Sequence, residues 1–120
     1  MKLRIQGDSL RLRLTRPEVA RLREQGVIEE TAHFAGGRGL TYRIRKDAAG
    51  ADLRAEFTEG AITVYAPAAT VDHWASSDEV GMETRGGALK IAIEKDFRCM
   101  SRRGEASEAD AYPHPSEQAH

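Results

Sequence analysis

Residues 2–14 read KLRIQGDSLRLRL, and this stretch decides the fold. Apolar residues alternate with charged or polar ones on both sides of Gly7-Asp8: Leu3, Ile5, Leu10, Leu12, Leu14. A period of two places every apolar side chain on one face of a β-strand. Gly-Asp between two such runs is typical of a tight turn. The stretch therefore predicts a two-stranded hairpin with one apolar face and one basic face.

A short helix is predicted directly after this hairpin. Thr15 suits the N-cap position, Pro17 suits the first turn, and Glu18 stands where a capping box requires an acidic or amide side chain. Gly26 ends the helix. Two strands follow, at 27–34 and 40–45, and the glycine-rich turn between them pairs them antiparallel. The first half of the chain is therefore predicted as ββαββ.

The same order of elements returns in the second half. After a loop at 47–50 we predict strands at 53–57 and 62–66, a helix near 69–75, and strands at 80–84 and 89–94. A shift of 52 residues places Leu3, Ile5, Leu10 and Leu12 on Ala55, Phe57, Ile62 and Val64. We infer an internal duplication with halves at about 1–47 and 52–96. The alternative is that two alternating ββαββ runs align through their periodicity alone.

The fold class that follows is α+β, mainly β. A chain of 120 residues fits one domain, which we place at 1–97, followed by an irregular C-terminal tail at 98–120. Eight short strands with one apolar face each must close or stack to cover that face. We expect an eight-stranded antiparallel barrel or two packed sheets, with two short helices.

In outline this expectation resembles the triphosphate-tunnel enzymes, which are eight-stranded barrels. Their first strand carries alternating acidic residues that hold metal and phosphate. The corresponding strand here, 2–6, contains no acidic residue. The metal-dependent activity of that family is therefore not carried over to this chain.

Composition excludes several classes of protein. With 18 Lys and Arg against 19 Asp and Glu, the net charge of -1 gives no general attraction to nucleic acid. No apolar run has the length of a membrane helix, and the alternating start is unlike a signal peptide. A single cysteine excludes an intramolecular disulfide. We expect a cytoplasmic protein.

Basic residues on the polar face of the strands are the first candidate site. Arginine binds phosphate and carboxylate through two parallel hydrogen bonds. If this face lines a closed barrel, five arginines converge on an anionic ligand: Arg4, Arg11, Arg13, Arg43, Arg45. If the apolar face points inward, the same arginines are a solvated outer surface.

A second candidate site lies in the tail. Cys99 stands among arginines, which lower a thiol pKa, and His114 is a potential metal ligand in the same segment. The two residues together suggest a metal or redox site, and an inert cysteine in a polar tail is the alternative. The sequence contains no nucleophile elbow, phosphate-binding loop or dinucleotide fingerprint, which favours binding over catalysis.

Several segments resemble a family of small bacterial proteins of unknown function. They are the opening at 2–14, residues 75–81, Glu94-Lys95-Asp96-Phe97-Arg98-Cys99, and 110–113. Members tend to end in Pro-Asn-Pro, where this chain has Pro113-His114-Pro115. The resemblance covers nearly the whole chain and implies a bacterial cytoplasmic domain with no assigned activity.

Three functional hypotheses follow. The first is a non-enzymatic binding or protein-interaction module with an unknown protein partner, or with a second copy in a homodimer. The second is an anion- or phosphate-binding barrel, including a phosphoester-processing one, acting on a small anionic ligand. The third is the metal or redox site at Cys99 and His114. No membrane partner is expected, and nucleic acid is disfavoured.

Overall fold

The computed structural model describes residues 1–97, and in this range the strands and helices follow the predicted order. They are β1 (Lys2–Gln6), β2 (Ser9–Leu14), α1 (Arg16–Gln25), β3 (Val27–Phe34), β4 (Arg38–Asp47), β5 (Arg54–Thr58), β6 (Ala61–Pro67), α2 (Ala68–Ala75), β7 (Gly81–Glu83) and β8 (Lys90–Lys95). A 3-10 turn at Ala35–Gly37 joins β3 to β4. The class α+β, mainly β, is confirmed.

The strands form two four-stranded sheets. The first sheet has the order β1-β2-β8-β7, and the second has the order β3-β4-β6-β5. Each of the four predicted hairpins is antiparallel. At the centre of each sheet, however, β2 pairs with β8 and β4 pairs with β6, and both of these pairs are parallel. Each sheet is therefore mixed and joins strands from both halves of the chain.

Of the two predicted arrangements, the closed antiparallel barrel is wrong, and so is the likeness in outline to the triphosphate-tunnel enzymes. The eight strands form two sheets, which is the other arrangement predicted, although neither sheet is purely antiparallel. Two parallel pairs replace the all-antiparallel arrangement, and within residues 1–97 no backbone ladder joins one sheet to the other. Side chains make the link instead. The Met1 amino group, beside β1, donates to Glu30 of β3 at 2.7 Å. Asp52, before β5, accepts a hydrogen bond from the backbone N–H of Arg85, after β7, at 3.1 Å.

The apolar faces of both sheets point inward and form one buried cluster with the helices, although Ile5 and Phe57 on these faces stay 57 % and 69 % exposed. The fully buried members with the largest side chains are Trp74, Leu12, Leu14, Leu22, Ile44, Ile93, Val64 and Val71. The Trp74 indole N–H donates to the carbonyl of Val80 at 3.1 Å, which ties α2 to the segment before β7. The polar faces, with their arginines, are the outer surfaces of the sheets.

The two sheets also share a register. In β1–β2 Leu3 stands opposite Leu12, and in β5–β6 Ala55 stands opposite Val64, each 52 residues later. The parallel pairs correspond in the same way. Leu10 pairs with Ile91 in the first sheet, and the residues at the corresponding positions, Ile62 and Tyr42, pair in the second. If β1 is matched with β5, β2 with β6, β8 with β4 and β7 with β3, the two sheets have the same strand order.

The start of α1 is held by Glu18. Its carboxylate accepts hydrogen bonds from the backbone N–H of Thr15, at 2.8 Å, and from the Met1 amino group. Partial burial alone would raise the pKa of Glu18, but these hydrogen bonds outweigh it and lower the pKa. For the Met1 amino group, partial burial would lower the pKa, but the bonds to Glu18 and Glu30 outweigh it and raise the pKa. Both groups are therefore charged over a wide pH range.

We expect Glu18→Gln to lower the free energy of unfolding at pH 7 by about 1 kcal/mol, as for loss of a helix cap. Because the folded pKa of Glu18 is lowered, its contribution is complete above the ordinary carboxyl pKa and is lost as pH falls through the folded value. The Met1 contribution is complete below the ordinary amino pKa and is lost as pH rises through its raised folded value. Urea unfolding at pH 3, 5 and 7 should show the full difference between wild type and variant at the two higher values and a smaller difference at pH 3.

The matched control is Glu24→Gln on the same helix, which should change the free energy by less than about 0.5 kcal/mol. An equal effect of the two substitutions at pH 7 would contradict the capping role of Glu18.

Candidate functional site

The outer surface of the first sheet carries a cluster of cations, which we call the basic face: Lys2, Arg4, Arg11, Arg13 and Lys90. The strand register sets their positions. Arg4 stands opposite Arg11 across β1–β2, and Lys90 stands beside Ser9 across β8–β2. Side chains two residues apart share a face of a strand. These cations therefore all lie on the face of the sheet that is turned away from the buried leucines of β2.

Counter-ions neutralise only one end of the basic face. Glu94 lies 3.3 Å from Arg13 and 3.7 Å from Arg11, and Asp96 lies 3.2 Å from Lys2. Within residues 1–97, Arg4 and Lys90 have no ion pair. The excess positive charge is therefore concentrated towards the Gly7-Asp8 turn.

Two adjoining hollows lie at that end of the basic face. The first, of about 260 Å³, is lined by Arg4, Gln6, Ser9 and Arg11. The second, of about 230 Å³, shares Ser9 and Arg11 with it and continues past Lys90 to the loop before β8. The second hollow is also lined by one carboxylate, that of Glu83. Together the hollows offer guanidinium, ammonium, hydroxyl and amide donors at one place.

The five predicted anion-binding arginines do not form one site. Arg4, Arg11 and Arg13 share the outer surface of the first sheet, whereas Arg43 and Arg45 belong to β4 in the second. Arg43 is already bound there, with its guanidinium 2.9 Å from Glu29 and 2.9 Å from the Thr63 hydroxyl.

The second sheet also balances its charges more fully than the first. Arg54 pairs with Glu56 at 2.9 Å and stacks on the Tyr65 ring at 4.0 Å. Arg43 and Arg54 are thus both paired with carboxylates. Arg45, on the same outer surface, contacts no carboxylate among the described residues. The two outer surfaces therefore differ in charge although their strands correspond.

A different concave surface lies between the helices, and we call it the helix groove. It measures about 400 Å³ and is lined by Leu14, Arg16, Val19, Ala20, Arg23, Glu24, Ala75, Ser77, Asp78, Lys95, Asp96 and Phe97. Residues of α1 supply one wall, and the end of α2 with β8 supplies the other. Phe97 is 61 % exposed although it is aromatic, so the groove offers apolar surface to solvent.

The charges of the helix groove are only partly paired. Lys95 donates to the Ser77 carbonyl at 2.8 Å and lies 5.7 Å from the centre of the Trp74 ring. Arg16 and Arg23 contact no carboxylate among the described residues. They lie seven positions apart on α1, which is about 10 Å along a helix axis, so two separate cations flank the apolar floor.

The predicted metal or redox site lies outside the described residues, because both Cys99 and His114 follow Phe97. Across residues 1–97 no three His, Cys, Asp or Glu side chains are placed to hold a metal ion. In the same range, neither helix has the length and apolar character that crossing a membrane requires.

Sequence reasoning did not show which residues come together on either surface. Ser9 and Lys90 join the arginines of β1 and β2 only because β8 pairs with β2. The walls of the helix groove come from three elements that are far apart in the chain. One part of the helix groove could have been predicted from the sequence. Arg16 and Arg23 are seven positions apart, and residues at this spacing share a helix face.

Comparison with known proteins places the chain in a family but not beside a protein of known activity. No curated protein and no solved structure matches the chain significantly. A family model described as a family of unknown function matches residues 1–116. The match confirms the resemblance to an uncharacterised family, and its range includes most of the segment after Phe97. The chain belongs to this family of unknown function, DUF7009.

Proposed function

We propose that this protein is a binding module that holds an acidic peptide segment with apolar side chains in the helix groove. The observation that carries the proposal is the pair Arg16 and Arg23, which line the groove beside apolar side chains and make no ion pair within residues 1–97. The groove's own carboxylates, those of Glu24, Asp78 and Asp96, leave both arginines unpaired. An exposed cation beside exposed apolar surface suits a ligand of opposite charge and similar apolar character.

The spacing of the two arginines limits the ligand. They lie about 10 Å apart along α1, and an extended peptide advances about 3.3 Å per residue. Two acidic residues three positions apart would therefore meet both arginines. An apolar side chain between them would reach Val19, Ala20 and Phe97. Exposed ion pairs contribute about 0.2–1 kcal/mol each, so the apolar contact is needed for affinity.

The test uses the full chain and fluorescent ten-residue peptides that carry two glutamates, two, three or five positions apart, with a leucine or tyrosine between them. We expect the tightest binding at a spacing of three. The double variant Arg16→Glu/Arg23→Glu should bind at least about tenfold more weakly, a loss of about 1.4 kcal/mol. Fluorescence polarisation gives both comparisons.

The matched control is Arg21→Glu, an exposed position on the same helix that does not line the groove. It makes the same charge change per residue and should leave binding unchanged. Equal affinity for all three spacings, or equal loss in Arg21→Glu and the double variant, would contradict the proposal.

We also infer that residues 1–97 are one domain that arose by duplication of a ββαββ unit, in a bacterial cytoplasmic protein. The shared strand order and register of the two sheets support the duplication. Their common buried cluster supports a single domain. The single cysteine is consistent with a reducing compartment.

A further inference from the structure

We propose that the basic face binds a diphosphate group, with one phosphoryl group over Arg4 and Arg11 and the other over Ser9 and Lys90. This site is separate from the helix groove and does not depend on the function proposed for it. Arg11 would contact both phosphoryl groups, because it lines both hollows.

The two hollows fit this ligand in arrangement. Strands in a sheet lie about 4.8 Å apart, so Arg4, Arg11 and Lys90 project from three successive strands within reach of two linked phosphoryl groups. The first hollow provides two guanidinium groups and the Gln6 amide, and the second provides an ammonium group and the Ser9 hydroxyl. Guanidinium groups bind phosphate oxygens through paired, charge-assisted hydrogen bonds.

The surrounding charges set the limits of the site. Glu94 forms ion pairs with Arg13 and Arg11. A third phosphoryl group placed on the Arg13 side of Arg11 would therefore meet the Glu94 carboxylate. Glu83, which stands beside Ala92 across β7–β8, also lines the second hollow. The register places Arg4 on the edge strand β1 and Glu83 on the opposite edge strand β7, while Lys90 and Glu94 lie towards opposite ends of β8. Carboxylates therefore limit the cationic surface in two directions, Glu94 along β8 and Glu83 across the sheet, which suits two phosphoryl groups better than a longer chain.

The second sheet shows that this charge excess is not required by the fold. The position in the second sheet that corresponds to Arg4 is Glu56, which pairs with Arg54. In the first sheet Arg4 stands directly opposite Arg11, and like charges in this relation destabilise a sheet. A bound anion removes that repulsion. The first sheet thus carries a local cost that ligand binding would relieve.

The test is calorimetric titration of the full chain, at low salt, with inorganic phosphate, inorganic pyrophosphate and ADP. We expect pyrophosphate to bind at least about tenfold more tightly than phosphate, because both hollows are then occupied. ADP binding as tightly as pyrophosphate would show that the site accepts a nucleoside diphosphate. Weak ADP binding beside tight pyrophosphate binding would identify the free diphosphate as the ligand. Equal affinity for phosphate and pyrophosphate would overturn the proposal.

Single variants locate the site. Arg4→Gln and Lys90→Gln should each weaken pyrophosphate binding about tenfold, and Arg11→Gln should weaken it further. Arg45→Gln, an exposed strand position on the second sheet, is the matched control and should bind as wild type. Circular dichroism confirms that each variant is folded. If Arg45→Gln loses as much affinity as Arg4→Gln, binding is a general charge effect and the proposal fails. Arg16→Glu/Arg23→Glu should keep the affinity for pyrophosphate, which separates this site from the helix groove.

Discussion

Replacing Trp74 with alanine is expected to lower the free energy of unfolding by about 3–5 kcal/mol. Trp74 has the largest of the fully buried side chains and is 0 % exposed. The substitution removes its packing in the core and leaves a cavity between α2 and the sheets. It also removes the donor to the Val80 carbonyl, and an acceptor that loses its partner adds to the cost. Urea unfolding followed by far-ultraviolet circular dichroism measures the loss.

Two further variants separate these contributions. Trp74→Phe keeps an aromatic ring in the core but cannot donate to Val80, so we expect a smaller loss than for alanine. His73→Ala changes the neighbouring residue, whose side chain is mostly exposed, and should change the free energy by less than about 0.5 kcal/mol. A loss below about 1.5 kcal/mol for Trp74→Ala would contradict the packing of α2 described above.

Leu12→Ala and Ile44→Ala are each expected to lower the free energy of unfolding by about 2–5 kcal/mol. Leu12 lies on β2 at the centre of the first sheet, and Ile44 lies on β4 at the centre of the second. Both are 0 % exposed and belong to one buried cluster. Because the two sheets share this cluster, each substitution should shift the whole unfolding transition.

The measurement compares Trp74 fluorescence with circular dichroism through a urea titration. Coincident single transitions in both variants are the expected result. Two separate transitions, with each substitution moving only one of them, would show that the sheets unfold independently and would contradict a single domain. Arg21→Ala, on the exposed side of α1, is the control and should leave the midpoint in place.

Local features of the sequence predicted the elements well, because each has a local physical cause. Alternation in residues 2–14 is enough to define a hairpin, and its pairing of Leu3 with Leu12 is observed. Gly26 ends α1 as expected, with a φ of 83° and its N–H bonded to the Leu22 carbonyl at 2.9 Å. Turns and caps depend on a few neighbouring residues, so they can be predicted without knowledge of the rest of the chain.

The arrangement of the hairpins could not be predicted in the same way. The contact between β2 and β8 joins Leu10 to Ile91, 81 residues further along the chain. One-sided alternation is equally compatible with a barrel and with two sheets, because both bury one face of each strand. Parallel pairs usually lie inside sheets that are covered on both sides, and here their outer face is solvated. The sequence pattern therefore indicated antiparallel neighbours throughout.

The candidate sites show the same limit. Alternation correctly put Arg4 and Arg11 on one surface, since they belong to one hairpin. It could not show that Arg43 and Arg45 lie on a different sheet, because that depends on strand order. It also could not bring Lys90 beside Ser9. The helix groove depends on α1 packing near the end of β8, which no local pattern determines.

The order of strands in the two sheets has a consequence for synthesis of the chain. The second sheet uses one continuous segment, from β3 to β6, and can form as soon as that segment leaves the ribosome. The first hairpin is made earlier, but β2 must wait for β8 to fill its free edge. A strand with an unpaired edge and an uncovered apolar face is prone to aggregate. Nascent chains that stop before Lys90 would therefore be those most in need of a chaperone, with the earliest part of the chain as its target.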